Sequence, residues 1–223
     1  MTFIRRLFGG KPSQVEEIAE RVRSNVRAVY GPLSDLSKSI IEAADTSHKT
    51  VSRAFGISVT GTPSQESIFL LYEFIYFFCH MTMRAAVANG LTRQQVQKVQ
   101  GFLGPLLALV SIDTFFQHWP DHLKVGMRNE FFEKLNDTEG EYAVCTALAS
   151  TENPSSPDTL FGKLCCNVGM LLGRQVDLEF VSVILPIAME AFLGIGLDNC
   201  MKSVASVIDA VRLEEIPWDE VSA

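Results

Sequence analysis

The chain has 223 residues, 47% of them hydrophobic and only 20% charged, and carries a net charge of −7. That balance argues against general nucleic-acid binding, which needs a cationic footprint on phosphates. Charge falls short of the usual figure of about 25% and mean hydropathy is +0.17, so surface is scarce for this much apolar side chain; self-association, a large internal cavity or an apolar partner would each account for it.

Residues 1–12 read as a separate basic amphipathic arm. On a helix Phe3, Ile4, Leu7 and Phe8 group on one side and Arg5 and Arg6 on the other, before Gly9-Gly10 breaks the pattern. Such an arm suits peripheral contact with an anionic membrane, although folding onto its own core is the favoured reading. From residue 13 a single all-helical domain is expected, with 151–158 dividing it into two layers. Ser13 and Glu16 form a capping box, and Val15, Ile18, Val22, Val26 and Val29 trace one face up to a stop at Gly31-Pro32. A second, weaker helix spans 33–55, with Leu33, Leu36, Ile40, Ala44 and Val51 on its apolar side. Glu42, Asp45 and His48 recur there every three residues and read as a polar surface face.

The GISVTGTP stretch is a loop, after which Thr62 and Pro63 supply an N-cap and first helical position. The helix they open, SIFLLYEFIYFFCHMTMRAAVAN (67–89), is apolar almost all round and crossed by one narrow polar line. At about 100° per residue, Glu66, Glu73, His80 and Arg84 fall within about 40° of one another. Asn89-Gly90 closes it, and Thr92 with Gln95 caps the next helix. Gly101, Gly104 and Pro105 predict a separate helix over 105–117. HWPDH (118–122) forms a corner, and 123–150 is helical with a break near Asp137 to Gly140.

TENPSSPD (151–158) is the strongest linker, and Ser156-Pro157 is expected to cap the next helix. In that helix Gly162, Cys165, Cys166, Gly169 and Gly173 recur every three or four residues, a spacing that admits a second helix at close range. Residues 178–197 are long enough to span a bilayer, but Glu190 and Pro186 oppose it, so a buried helix is predicted, with Glu190 paired to a cation such as Arg84. Asp177 caps it and Pro186 should kink it. A last helix turns Met201, Val204, Ile208 and Val211 inward. Residues 209–223 carry an acidic tail. No stretch alternates as a strand does. The fold expected is all-α, a bundle of about seven to nine helices around the aromatic one.

The five cysteines are odd in number and contain no C-x-x-C, which suits reduced thiols in a cytoplasmic protein. His118 and His122 have the spacing of helical metal ligands, but Pro120 sits between them and the intervening glutamate of such motifs is missing. Glu-x-x-His, G-x-S-x-G, P-loop and dinucleotide motifs are absent from the sequence, and no cofactor is implied. The leading expectation is a non-catalytic binding protein. Phe69, Tyr72, Tyr76 and Phe77 would line an apolar interior for a small molecule or partner helix, while Glu73, His80 and Arg84 provide its polar end. The alternatives are a scaffold or interaction subunit of a homo- or hetero-oligomer, and a metal-dependent enzyme built on His118 and His122.

Overall fold

The computed structural model describes residues 14–57 and 64–211; the N-terminal arm, the Thr62-Pro63 cap and nearly all of the acidic tail lie outside them. The described residues form seven α-helices and no strand: α1 (Gln14–Ala54), α2 (Gln65–Ala88), α3 (Arg93–Phe115), α4 (Asp121–Ala143), α5 (Leu160–Leu171), α6 (Leu178–Gly194) and α7 (Leu197–Ala205). A short 3₁₀ turn, Ile208–Ala210, comes after α7.

The predicted stop at Gly31-Pro32 does not occur. α1 continues through Pro32 for 41 residues, about 60 Å at 1.5 Å per residue. Proline there removes one hydrogen bond and crowds the preceding turn, at a cost of about 3 kcal/mol. Its compensation is a buried stripe that stays in phase across the break: Val29, Leu33, Leu36, Ile40, Ala44 and Val51 all face inward at helical spacing. This face packs on α2, α3, α6 and α7, so α1 serves as the spine. His48, expected on the outer polar face, is instead buried, and its Nε2 lies 2.8 Å from Ser67 Oγ.

α2 is the central helix, packed by α1, α3, α4 and α5. Every residue from Leu70 to Met83 is buried, as a helix apolar all round requires. Its described cap is Ser64, whose side chain accepts from Ser67 N at 3.2 Å. The Thr92–Gln95 capping box forms as predicted. α3 then runs unbroken through Pro105, because Phe102, Leu103, Leu106 and Leu107 are buried on both sides of it. Gly104 faces α4, where an added Cβ would already touch Leu135 at 3.4 Å. α4 likewise has no break at Asp137–Gly140. Only Phe131, Leu135, Thr138 and Tyr142 are buried along it, a stripe spaced four, three and four that holds an otherwise exposed helix to the body.

Thr159, not Ser156, caps α5, its hydroxyl accepting from Gly162 N at 3.1 Å. The small residues of α5 also differ from expectation. A Cβ on Gly162 would strike the Ser156 carbonyl, and one on Gly169 would meet Val176 and the Arg174 carbonyl. Both glycines thus admit flanking loops rather than another helix. α6 is two-sided. Phe180, Val181, Ile184 and Ala188 face inward while Leu178, Met189 and Leu193 are exposed. Glu190 is exposed as well, so the buried Glu190–Arg84 pair does not exist. Asp177 caps α6 as expected, accepting from Phe180 N at 2.8 Å, and the helix runs on through Pro186. Among the described residues no single helix is long and apolar enough to cross a membrane. Met201, Val204, Ile208 and Val211 are all buried.

Two glycines give opposite expectations in chemical denaturation. Gly162→Ala must push the Ser156 carbonyl aside and should lower stability by about 1–3 kcal/mol. Gly140→Ala, on α4 with open space around it, should raise stability by up to about 1 kcal/mol through helix propensity alone.

Candidate functional site

The polar line of α2 resolves into three environments. Glu66 is exposed in the first turn. Glu73 is buried, and its Oε1 accepts from the Tyr142 hydroxyl at 2.6 Å and from Asn167 Nδ2 at 2.8 Å. One carboxylate thereby joins α2 to both α4 and α5. Further along, Arg84 Nε donates to His80 Nε2 at 2.9 Å, while His80 Nδ1 lies 2.9 Å from Glu139 Oε2. An arginine can only donate, so His80 Nε2 is the acceptor and the ring proton sits on Nδ1, donated to Glu139. Arg84 Nη2 also donates to the carbonyls of Tyr142, at 3.3 Å, and Cys145. These carbonyls lie at the C-terminal end of α4, where a cation complements the helix dipole, and the Tyr142 carbonyl also accepts from Cys145 N at 3.1 Å.

Tyr142 is therefore held at both ends. Its hydroxyl is on Glu73, its carbonyl is on Arg84, and its ring packs between Phe77 at 5.5 Å and His80 at 5.6 Å. Burial, then the neighbouring Glu73 carboxylate, holds its phenol protonated far above the ordinary range. Burial also raises the Glu73 carboxyl above its usual range; the bonds from Tyr142 and Asn167 oppose this, Glu141 adds to it, and Lys163 lowers it.

Beside this line a cavity of about 760 Å³ opens between α4 and α5, with α2 as its floor. Ile68, Phe69, Tyr72 and Tyr76 rise from the floor, Phe131 and Met127 come from α4, and Met170 and Leu171 from α5. Trp119, in the turn before α4, also lines it. Tyr72 and Tyr76 pack on Phe131 at centroid distances of 5.4 and 5.2 Å, so the three rings brace one another. Two wall residues carry a buried polar atom with no protein partner: Tyr72 Oη and Asn167 Oδ1. The charged members of the wall are Glu73, Glu130, Asp137 and Glu141 against Lys134.

Of the residues singled out from sequence, Phe69, Tyr72, Glu73 and Tyr76 line this cavity. Phe77, His80 and Arg84 do not. Phe77 is a core residue against Tyr142 and Phe161, and His80 and Arg84 are spent on tying down α4. His80 and Arg84, expected at a polar end with Glu73, lie outside the lining, whose buried polar residues include Glu73, Asn167 and Tyr72. Asn167, Tyr142 and Phe131 were not visible as site residues in the sequence. The spacing 131, 135, 138 and 142 was the available signal, since a tyrosine on a buried stripe must find a partner for its hydroxyl.

His118 and His122 are both exposed, and among the described residues no group of three His, Cys, Asp or Glu side chains is placed to hold a metal ion. The buried Ser67–His48 pair lies outside the cavity. The five cysteines are free, and burial pushes the Cys165 thiol up to about 12 and Cys200 up to about 11, far from nucleophilic thiolates. No family model, curated protein or solved structure matches the chain.

Substitution at Glu73 separates hydrogen bonding from charge. Glu73→Ala orphans the Tyr142 hydroxyl and the Asn167 amide and should cost about 1–3 kcal/mol for each group left unpaired. Glu73→Gln keeps an acceptor oxygen for both. The folded protein holds the Glu73 proton more tightly than the unfolded chain, whose value is near 4.5. That contribution to stability is complete below the unfolded value and is lost as pH rises through the folded one. Urea unfolding across pH 4 to 8 should show wild type losing stability relative to Glu73→Gln as pH rises.

Proposed function

We propose that the chain is a non-catalytic helical binding protein that holds an apolar or amphipathic small molecule in the cavity between α4 and α5. One observation carries this reading: a cavity of about 760 Å³ with aromatic and aliphatic walls, in which Tyr72 Oη and Asn167 Oδ1 have no protein partner. Ligand sites typically enclose about 300–1,000 Å³, with mostly apolar walls and a few polar groups that orient the guest. Leaving such groups unpaired costs about 1–3 kcal/mol each, which a bound molecule with matching polarity offsets.

A second reading, an interaction subunit of a homo- or hetero-oligomer, draws on the outer face of α6. Leu178, Met189 and Leu193 are exposed there, a grouping of large apolar side chains of the kind that marks association surfaces. Under that reading sedimentation gives a mass above the 24.7 kDa of one chain, and a stable lone monomer counts against it.

The binding reading is tested with Nile red, a neutral apolar dye. One saturable site per chain is expected, weakened about fivefold or more, equivalent to about 1 kcal/mol, by Met170→Trp, which places a larger ring at the cavity wall. Leu193→Ala, on the exposed face of α6, should leave the titration unchanged. Dye uptake that does not saturate, or that ignores Met170→Trp, would refute the cavity as a site.

A further inference from the structure

The cavity is chemically one-sided. Asn167 Oδ1 can only accept a hydrogen bond, and it is buried without a partner. The bonds from Tyr142 and Asn167 to Glu73 both end on Oε1, and no described side chain bonds Oε2 or forms an ion pair with this carboxylate. Tyr72 Oη, also unpartnered, can accept as well as donate. The deep polar groups of the wall therefore call for a donor on the guest.

The outer wall points the same way. Glu130 and Asp137 are exposed carboxylates in the lining, and neither takes part in an ion pair among the described residues. Glu141 is engaged by Lys163 at 3.1 Å. Lys134 is the single cation of the lining. Next to these acids stand the rings of Tyr72, Tyr76 and Phe131, whose π-faces attract a cation and attract it more strongly once it is desolvated. A carboxylate or phosphate group would face repulsion from the acids and unpaired acceptors at the base. Without a cation beside it, burial raises the Glu73 carboxyl; an ion pair with hydrogen bonds to both partners is how such a group is ordinarily held in its ionised form.

We infer that the cavity binds an amphiphilic organic amine, with its protonated ammonium group among Glu73, Asn167 and Tyr72 and its apolar body along Phe69, Tyr76 and Met170. This rests on the cavity being a binding site, as proposed above, and adds the chemistry of the head group. The site is defined by acceptors at one end, by acids at the rim, and by the absence of any arginine or histidine from its wall.

Three ten-carbon probes that differ only in the head group test it: decylamine, decanol and decanoate, each titrated calorimetrically below its micelle concentration at pH 7. Decylammonium should bind at least about tenfold tighter than decanol, a difference of about 1.4 kcal/mol, and decanoate weakest. The double variant Glu130→Gln/Asp137→Asn, both exposed positions away from the buried frame, should narrow that preference several-fold by weakening decylammonium more than decanol. Met170→Trp should weaken all the probes. Equal affinity for the three, or tighter binding of decanoate, would overturn the amine assignment and leave the cavity as a site for apolar molecules. Decylammonium binding that ignores Met170→Trp would also overturn it, as adsorption to an acidic surface. Failure of all three probes together with Nile red would overturn both.

Discussion

The placement of α4 depends on Tyr142. α4 is polar on most of its circumference and offers the body only four buried side chains. Its C-terminal end is fixed through one residue whose hydroxyl, ring and carbonyl each meet α2. Glu73 takes the hydroxyl, Phe77 and His80 meet the ring, and Arg84 takes the carbonyl. Each of these groups would be expensive to bury alone, and together they leave one another few unmet bonds. That mutual satisfaction is why an acid, a base and a cation lie along the most apolar helix of the chain. The Arg84–His80–Glu139 chain extends the same tie by two bonds with a fixed direction of donation.

Glu73 belongs to this frame and to the cavity at once. Its Oε1 gathers α4 through Tyr142 and α5 through Asn167, so two helices from opposite sides of the 151–158 linker converge on one oxygen. Its other oxygen has no bond from the described side chains. The geometry that anchors the two helices also makes the wall between them: α4 and α5 meet α2 without closing over Phe69, Tyr72 and Tyr76. A cavity beside a shared buried carboxylate results from where the polar groups had to be paired.

Three features of the described residues bear on the surplus of apolar side chain suggested by composition. α2 is buried around its circumference, the cavity is walled largely by rings and aliphatic chains, and one face of α6 presents Leu178, Met189 and Leu193 to the outside. The first is ordinary core. The second is the basis of the binding reading and the third of the association reading. They are separable because they occupy different helices.

The sequence by itself determined the all-α class, the central position of α2, the Thr92–Gln95 and Asp177 caps, the inward face of α1 from Val29 to Val51, and that of the C-terminal helix. These arise from periodicity and local hydrogen bonding, which are properties of a few neighbouring residues. It also marked Phe69, Tyr72, Glu73 and Tyr76, because they share one side of one helix. Helix boundaries at Pro32 and Pro105 were decided by tertiary packing, since buried contacts on both sides of each proline outweigh a local cost of about 3 kcal/mol. Periodicity also could not say that Glu190 faces outward, or that Gly162 and Gly169 receive loops. Tyr142 and Asn167, the partners of Glu73, and Glu139, which faces His80, lie 59 to 94 residues away along the chain. A polar line reads the same whether it meets solvent, a ligand or a tyrosine from another helix, and only the fold, by bringing Tyr142, Glu139 and Asn167 alongside, chose among them.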